Sequence, residues 1–439
     1  MSLRIFWIAI SIIALPNLVC AENQSALSAV EQHMVQDIHQ NLNTTLTELE
    51  QAVNINSGSM NFNGVKAVGN LMLRQLSQLG FDAKWHDGSA FNRAGHVVAT
   101  YMSHNPDAKK VLMIGHLDTV FAQDDSFQKF SKISETEIAG PGITDMKGGN
   151  AIIIASIRAL KNAGILDDIS IKVVMTGDEE SSGRPLSLSK KAIVDASQWA
   201  DVALGFEDGD SNIKTAMVAR RGYTGWTLKV SGKPAHSSQI FTEQEGFGAI
   251  FEAARILNAF REQLSSIEYL SFNPGVIAGG TRIDQAQLPT LSVFGKSNVI
   301  AQTVTVSGDL RALTAQQVAH AKQVMQTIVK QNLAHTQASI EFETGYPPMA
   351  PSAGNRQLLA LYSQVSQDLG YNEVVAANPR KAGAADISFA ANKVDMALDG
   401  LGLMGRGGHT KDEVADITSL AKNIEKTTLL LYRLSRITD

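Results

Sequence analysis

His116 and Asp118 lie where an apolar run, residues 111–115, comes to its end. If that run is a buried strand, its side chains alternate between faces, so the two residues point to the same side. That geometry gives a metal-binding imidazole a carboxylate neighbour. The pair alone does not establish a metal site, because a histidine at a strand end is more often a hydrogen-bonded structural residue.

Acidic residues follow two further apolar runs. Residues 169–176 are followed by Asp178, Glu179 and Glu180, and residues 202–206 by Glu207. Consecutive acids in a dry pocket repel one another, so they are either solvated or neutralised by cations. A solvated turn explains any one group by itself. Potential ligands at three successive strand ends instead favour a metal site.

A glycine-rich turn, residues 142–150, carries Asp145 between these groups. The turn lacks the Gly-Lys-Ser/Thr order of a phosphate-binding loop. It is either a helix start in which Asp145 is an ordinary turn residue, or the segment that brings Asp145 close to His116.

The elements that must position these residues alternate along the chain. Apolar residues recur at helical spacing over 25–53 and 64–79. The following pattern predicts strands at 96–102, 111–115, 169–176 and 202–206, and helices at 151–163 and 186–196. Such alternation predicts an α/β fold, a three-layer domain with a mostly parallel central sheet. In these sheets the ligand site lies beyond the carboxyl ends of the strands, where His116 is expected.

The composition is that of an ordinary globular protein, with 44% hydrophobic and 18% charged residues. A length of 439 residues predicts two domains. The formal charge of -5 provides no basic field for nucleic acid.

The first 21 residues have the layout of a secretory signal peptide. Arg4 precedes an apolar run, Pro16 breaks it, and small residues end it near Ala21. A membrane anchor is the alternative, but the run is short for a span. A lipoprotein cysteine is another, although Asn17 and Val19 are poor residues before Cys20. We expect a periplasmic or secreted bacterial protein that keeps no cysteine after cleavage.

At this point the residues resemble a known family. Six motifs, HLDTV, GPGITDMKGG, TGDEE, GFE, GKPAHS and GRGGHTKDE, occur in the order and approximate spacing of the di-zinc metallopeptidases. This group includes glutamate carboxypeptidase, aminoacylase and succinyl-diaminopimelate desuccinylase, and the chain is most similar to the glutamate carboxypeptidase branch. The resemblance covers nearly the whole chain after residue 21.

The resemblance implies a ligand set for two zinc ions per chain, which cobalt or manganese could replace. It assigns His116 and Glu207 to one metal, Glu180 and His409 to the other, and Asp145 to both. Asp118 would orient the His116 ring.

The resemblance also implies a mechanism. Glu179 would be the general base that activates a metal-bridging water and later protonates the leaving amine. The chain lacks a G-x-S-x-G elbow, and its one cysteine lies in the signal peptide, which argues against a nucleophilic hydrolase.

The middle of the chain predicts a second domain. Strands at 224–230, 276–278, 299–310 and 338–342, with helices at 246–264 and 316–332, give the β-α-β-β-α-β order of a ferredoxin-like sandwich. It resembles the lid domain that is inserted into the catalytic domain of the family. In many members this lid domain forms the dimer interface. We therefore expect a signal peptide at 1–21, a catalytic domain at 24–220 and 346–439, and a lid or dimerisation domain at 221–345.

Three lid residues match family positions. His236 resembles a histidine that stabilises the oxyanion, in dimers from the partner subunit, with a surface turn histidine as the alternative. Asn298 and Arg311 resemble substrate contacts, and Arg311 could instead form a structural ion pair with Asp309. Relatives usually have proline where this chain has Ala301, which puts the placement of Asn298 in doubt. Asp386 is either an acid near the site or a helix cap.

The sequence therefore predicts an exported zinc-dependent carboxypeptidase that releases a C-terminal amino acid of glutamate type. An N-acyl-amino-acid deacylase is the alternative, because it would use the same catalytic residues. A metal-free binding module is a third hypothesis, which the retained ligand set and Glu179 disfavour. The expected partners are a small peptide or N-acyl amino acid and a second copy of the chain, with no nucleic acid and no membrane after signal cleavage.

Overall fold

The structure, a computed structural model, describes residues 26–287 and 290–437. The predicted signal peptide lies outside these residues. The α-helices are α1 (Ala29–Val53), α2 (Phe62–Gln78), α3 (Gly148–Asn162), α4 (Leu186–Ser189), α5 (Lys191–Ser197), α6 (Gly248–Leu264), α7 (Ala315–Val329), α8 (Ala353–Asp368) and α9 (Thr418–Leu434). Among the described residues, no helix combines the length and apolarity needed to cross a membrane.

The strands follow the predicted pattern closely, with a few additions. They are β1 (Asp82–Asp87), β2 (Gly95–Tyr101), β3 (Lys110–His116), β4 (Ser131–Lys132), β5 (Glu137–Ala139), β6 (Ser170–Thr176), β7 (Val202–Gly205), β8 (Thr215–Ala216), β9 (Gly222–Gly232), β10 (Ser271–Gly280), β11 (Arg282–Gln287), β12 (Thr290–Phe294), β13 (Thr303–Ala312), β14 (Thr336–Phe342), β15 (Val375–Ala376), β16 (Met396–Leu398), β17 (Gly405–Arg406) and β18 (Val414–Asp416).

The main sheet has six strands in the order β1-β2-β6-β3-β7-β16. The pairings β6-β3, β3-β7 and β7-β16 are parallel, whereas β1-β2 and β2-β6 are antiparallel. The sheet is therefore mixed, and its parallel half contains the strands that end in predicted ligands. This confirms the α/β class.

Both faces of the main sheet are buried, as the continuous apolar run of β3 requires. Val111 and Met113 belong to a core shared with α1, α2, α3, α8 and α9. Leu112 and Ile114 point to the other face, where α5 and a short 3-10 helix (Asp386–Phe389) cover the sheet. The sheet is thus the middle of three layers.

A second sheet has the order β10-β13-β9-β14 with antiparallel pairing throughout. Helices α6 and α7 pack on it around a core of its own, centred on Trp226, Leu228, Phe260 and Met325. With the β-α-β-β-α-β chain order, this strand order is that of a ferredoxin-like sandwich. An unpredicted hairpin, β11-β12, is inserted between β10 and β13.

A small sheet, β17-β18-β5-β4, joins distant parts of the chain. β18 pairs with β5, so the turn between β17 and β18 lies beside the segment that follows β5. That pairing brings the last predicted motif, residues 405–413, to the glycine-rich turn at 142–150.

Candidate metal centre and active site

His116 is the last residue of β3, and its side chain is almost fully buried. Its Nε2 lies 3.0 Å from Asp145 Oδ1 and 3.7 Å from Glu207 Oε1. Burial opposes protonation of the ring, but the charge of Glu207, the nearby carboxylate of Asp118 and the hydrogen bond to Asp145 raise the pKa of His116 well above its usual value. The ring therefore faces a concentration of negative charge.

Asp118 lies beside the His116 ring, and the orienting role expected of it stays a prediction. The Nδ1 atom of His116 donates to the backbone carbonyl of Asp118 at 2.9 Å, while the nearest Asp118 carboxylate oxygen lies 3.6 Å away, beyond hydrogen-bond length. The carboxylate instead accepts from the N–H groups of Glu179 and Glu180 and from Ser59 Oγ, at 3.0, 3.2 and 2.6 Å. The carboxylate thus holds the turn after β6.

Asp145 lies in an irregular turn, Ile143–Lys147, just before α3, and its own backbone is non-helical with φ of -121° and ψ of 87°. Its two carboxylate oxygens face two different histidines, Oδ1 toward His116 Nε2 at 3.0 Å and Oδ2 toward His409 Nε2 at 2.8 Å. Burial raises the pKa of Asp145, but the hydrogen bonds from both rings outweigh it and lower the pKa overall. One carboxylate thus connects residues from opposite ends of the chain.

His409 occupies the turn between β17 and β18 with φ of 63°, in the left-handed region that non-glycine residues rarely adopt. Its Nε2 also lies 3.2 Å from Glu180 Oε2. Hydrogen bonds to Asp145 and Glu180 raise the pKa of His409 to about 11. A non-glycine residue in the left-handed region is strained, and such residues occur most often at functional sites, where the surrounding structure holds them in place.

Glu179, Glu180 and Glu207 follow the carboxyl ends of β6 and β7. Burial raises the pKa of each carboxyl group, assisted by the charge of Asp386 for Glu179 and of Asp145 for Glu207. The donor atoms of His116, Glu179 and Glu207 lie within 4.8 Å of one another, and so do those of His116, Asp145 and Glu180. The predicted ligands are therefore brought together.

The donor set fits divalent metal ions. Imidazole nitrogens and carboxylate oxygens are suitable ligands for zinc and for related cations. Glu180 Oε1 is buried and has no hydrogen-bond partner within the described part of the chain. An orphaned carboxylate oxygen beside two histidines and other buried acids is costly unless a cation neutralises it.

A cavity of about 390 Å³ opens over this cluster. It is lined by Asp145, Glu179, Glu207, Asp208, Gly209, Asp210, Ser211, Arg220, Lys381, Ala382, Gly383, Ala384, Gly408 and His409. Metal-type ligands thus form one wall of a space large enough for a small substrate.

Arg220 is a cavity residue that the sequence analysis missed. Its side chain is buried, Nε donates to Asp399 Oδ2 at 2.5 Å, and Nη1 donates to the Gly383 carbonyl at 3.0 Å. Nη2 has no partner among residues 26–287 and 290–437. The sequence analysis used residue 220 only as a domain boundary, because nothing in the local sequence shows that this arginine is buried.

Comparison with known proteins supports the resemblance. The family model described as peptidase family M20/M25/M40 matches residues 112–433. This chain belongs to that family. It is therefore a metallopeptidase or amidohydrolase, and its site contains a group of residues that could hold metal.

Relatives of this M20 protein differ in activity. It is 24% identical to carboxypeptidase G2 of Pseudomonas sp. strain RS-16 over 392 residues, covering 88% of each chain. It is 25% identical to an acetylornithine deacetylase of Pasteurella multocida over 228 residues, covering 49% of this chain and 56% of the relative. The solved structure of aminopeptidase PepT from Bacillus cereus superposes with a TM-score of 0.70 at 18% identity, covering 89% of this chain and 98% of PepT.

The three predicted lid residues of this M20 chain lie outside the cavity lining. His236 is exposed, and its Nδ1 lies 2.8 Å from Ser238 Oγ. Asn298 is also exposed, and its carbonyl accepts from the Ser237 N–H. Arg311 donates to Asp309 at 2.8 Å, which is the structural ion pair that had been the alternative.

Asp386 begins the 3-10 helix without capping it, so the cap hypothesis is wrong. Its carboxylate accepts from Lys190 at 3.0 Å, from Thr176 at 2.5 Å and from Tyr346 at 3.1 Å. Lys190 also pairs with Asp178, at 3.0 Å. This buried network lies directly behind Glu179, and it separates α4 from α5, which had been predicted as one helix.

Proposed function

We propose that the protein is an exported, di-zinc carboxypeptidase that hydrolyses the amide before a C-terminal amino acid of glutamate type. The observation that supports this most is the placement of Asp145 between His116 and His409. Each histidine has a further acid beside it, Glu207 and Glu180 respectively. Two half-sites that share one carboxylate are the pattern expected for paired metal ions.

In this proposal Asp145 bridges, His116 and Glu207 complete one site, and His409 and Glu180 complete the other. Zinc is the proposed metal, and cobalt or manganese would suit the same ligands. When bound, the two ions supply Lewis acidity that polarises the scissile carbonyl and acidifies the attacking water. The protein's contribution is to hold both half-sites rigidly at the edge of the main sheet.

Glu179 is the proposed general base. It lines the cavity, it lies beside His116 and Glu207, and burial raises its carboxyl pKa well above the usual value. A raised pKa suits a carboxylate that must accept a proton near neutral pH and then release it to a leaving amine. The Tyr346 hydroxyl connects the Lys190 and Asp386 network to Glu179, because it lies 3.1 Å from Asp386 Oδ1 and 3.3 Å from the Glu179 carbonyl oxygen.

Arg220 supports a substrate with a free carboxylate. Arg220 lines the same cavity as the acidic cluster, its Nη2 has no partner in the described part of the chain, and guanidinium donors are well suited to carboxylate oxygens. Lys381 adds a second cation at the cavity wall, 3.7 Å from Asp210. A C-terminal carboxylate bound here would place the preceding amide near Glu179.

The second sheet is proposed as a lid that also makes a homodimer. Its edge strand β10 exposes Val276 and Ile277, and Phe241, Ile250 and Phe251 are exposed nearby on the same unit. Burying an exposed apolar surface of this kind against a second copy of the chain is favourable. In such a dimer His236, Asn298 and Arg311 would serve the partner's cavity, which is why they lie outside the lining of their own.

A deacylase of N-acyl amino acids is the second candidate, favoured by the similarity to an acetylornithine deacetylase. Both reactions cleave an amide next to a free carboxylate, so they share the proposed site. They differ in whether the group on the acyl side is an amino acid or a simple acyl chain.

A substrate panel with added zinc tests the proposal. It contains dipeptides ending in glutamate, the same dipeptides with a C-terminal amide, and N-acetyl amino acids, with Glu179→Ala as the matched inactive control. We expect turnover of free-acid dipeptides and none of the amides. Turnover restricted to N-acetyl amino acids would favour the deacylase, and preference for the C-terminal amides would contradict a carboxylate-binding site.

A further inference from the structure

Glu413 ends the motif that carries His409, and neither the family resemblance nor the proposed mechanism gives it a role. Its side chain is fully buried just before β18. Burying a carboxylate is costly unless several donors compensate the charge. Its partners therefore indicate what the residue does.

Those partners all belong to the turn that carries Asp145. Glu413 Oε2 accepts from the Gly142 N–H at 2.8 Å. Oε1 accepts from the Thr144 N–H at 2.8 Å, from Thr144 Oγ1 at 3.0 Å and from the Asp145 N–H at 3.3 Å. One carboxylate thus accepts hydrogen bonds from three backbone N–H groups and a hydroxyl within four residues.

The backbone of Glu413 makes the connection tighter. Its N–H donates to the Thr410 carbonyl at 3.2 Å, and its own carbonyl accepts from the Gly140 N–H at 3.4 Å. Thr410 directly follows His409. Glu413 therefore fastens the turn of His409 to the turn of Asp145, two segments that are far apart in sequence.

We infer that Glu413 is a positioning residue for the metal centre, acting through the backbone of Asp145 and not by contact with metal or substrate. The inference rests on the proposed metal site. Asp145 must keep its two oxygens aimed at two histidines, and its turn is irregular, with Gly142 in the left-handed region at φ of 71°. The hydrogen bonds from the N–H groups of Gly142, Thr144 and Asp145 to Glu413 fix the backbone of this turn. They thereby fix the direction of the Asp145 carboxylate.

The test compares metal binding by wild-type protein, Glu413→Gln and a matched control, Glu137→Gln. Glutamine keeps the size of Glu413 but turns one oxygen into an NH₂ donor, which must face a backbone N–H. Glu137 lies on β5 of the same small sheet, and its carboxylate accepts a hydrogen bond from exposed Arg406. Each protein is stripped with a chelator, titrated with Co²⁺ by calorimetry, and followed by its visible absorption spectrum.

We expect Glu413→Gln to bind Co²⁺ roughly 10- to 100-fold more weakly than wild type, as is typical when groups behind the ligands are changed. Its Co²⁺ spectrum should also shift, because the ligand geometry changes, while Glu137→Gln should match wild type in both measurements. Urea unfolding of the metal-free proteins separates a loss of stability from a loss of positioning. Equal affinities and spectra in wild type and Glu413→Gln, with only lower metal-free stability in the variant, would overturn the positioning role.

Failure of the metal site itself gives a different result, since wild-type protein would then bind no Co²⁺ and both proposals would be overturned. If Glu413→Gln does not fold, Thr144→Val removes a single hydroxyl from the same carboxylate. That variant should lose about two- to ten-fold in affinity, the usual effect of one hydrogen bond. An unchanged affinity and spectrum for Thr144→Val would likewise count against Glu413.

Discussion

The main sheet and the second sheet carry their predicted site residues in different ways. At the carboxyl edge of the main sheet, His116 at the end of β3 and Glu180 after β6 lie within 3.2 Å of Asp145 or His409, and Glu207 after β7 lies 3.7 Å from His116. In the domain built on the second sheet, His236 and Asn298 lie in loops and Arg311 lies on β13, and all three are outside the cavity lining. Parallel strands bring their carboxyl ends together by topology, whereas nothing in an antiparallel sheet requires its residues to meet a site elsewhere.

The proposed functional residues therefore fall into two groups, one at the main sheet and one in the domain of the second sheet. The main-sheet half holds the metal-type ligands, the proposed base and a buried arginine in one cavity. The second sheet has a separate core and an exposed apolar surface, and in the proposed dimer its residues would reach the site of the other copy. Variants in each half therefore test different parts of the proposal.

Replacing Glu179 should have the largest effect. We expect Glu179→Ala to lose roughly 10²- to 10⁴-fold or more in kcat, the range for a missing general base, while bound zinc is retained. Activity assays with parallel metal analysis measure both quantities. Equal activity in the variant would remove Glu179 from the mechanism, and loss of zinc would make it a ligand instead.

His236→Ala tests whether the second sheet contributes at all. An oxyanion donor is worth on the order of 3 kcal/mol, so kcat should fall about 100-fold with little change in KM. Mixing His236→Ala with Glu179→Ala subunits should restore activity if the histidine serves the partner's cavity. An unchanged kcat would leave His236 as a surface histidine and confine the chemistry to the main sheet.

Arg220→Lys tests the carboxylate site on the main-sheet side. Lysine keeps the charge but loses the forked donors, so kcat/KM for free-acid dipeptides should fall about 10-fold, as expected for a charged hydrogen bond. Because Arg220 also pairs with buried Asp399, urea unfolding must show that the variant is folded. Arg311→Lys is the matched variant on the second sheet. A larger loss of kcat/KM in Arg311→Lys than in Arg220→Lys would place the carboxylate site in the second-sheet domain instead.

A smaller effect concerns the stability of the main-sheet half. Burial lowers the pKa of Lys426 on α9 to about 7, and its ammonium donates only weakly to the Ile213 carbonyl, at 3.3 Å. Between pH 7 and 10.5 the unfolded chain binds a proton that the folded chain does not, so this group makes stability rise with pH across that window. Lys426→Met should reduce the rise by a few kcal/mol at most. Urea unfolding at pH 7 and pH 10 measures it, and an unchanged slope would contradict the shift.

The residues at the strand ends were predictable from sequence because strands and helices alternate along the chain. Such strands run parallel, and their carboxyl ends meet at one edge of the sheet. His409 was not predictable from its neighbours, since only the pairing of β18 with β5 brings it to Asp145. Glu413 and Arg220 were missed for the same reason. Their partners are backbone N–H groups and a distant Asp399, which leave no local pattern.

The remaining differences in the fold have physical causes too. The predicted helix at 186–196 divides at Lys190, because that side chain turns inward to Asp178 and Asp386. The β11-β12 hairpin was missed because it is short and, where its side chains are described, partly exposed, so it lacks a buried alternating face. Asp118 lies beside His116, as the spacing predicted. The hydrogen bonds that its carboxylate accepts from the Glu179 and Glu180 N–H groups could not be predicted from spacing.

The most direct test counts the metal ions held by Asp145 and its neighbours. Wild-type protein and Asp145→Asn are stripped with a chelator, dialysed against Zn²⁺ and analysed by inductively coupled plasma mass spectrometry. We predict two zinc ions per wild-type chain and fewer in Asp145→Asn, because Asp145 faces both His116 and His409. Fewer than one zinc ion per wild-type chain, or two in Asp145→Asn with unchanged affinity, would contradict a shared bridging carboxylate at this site.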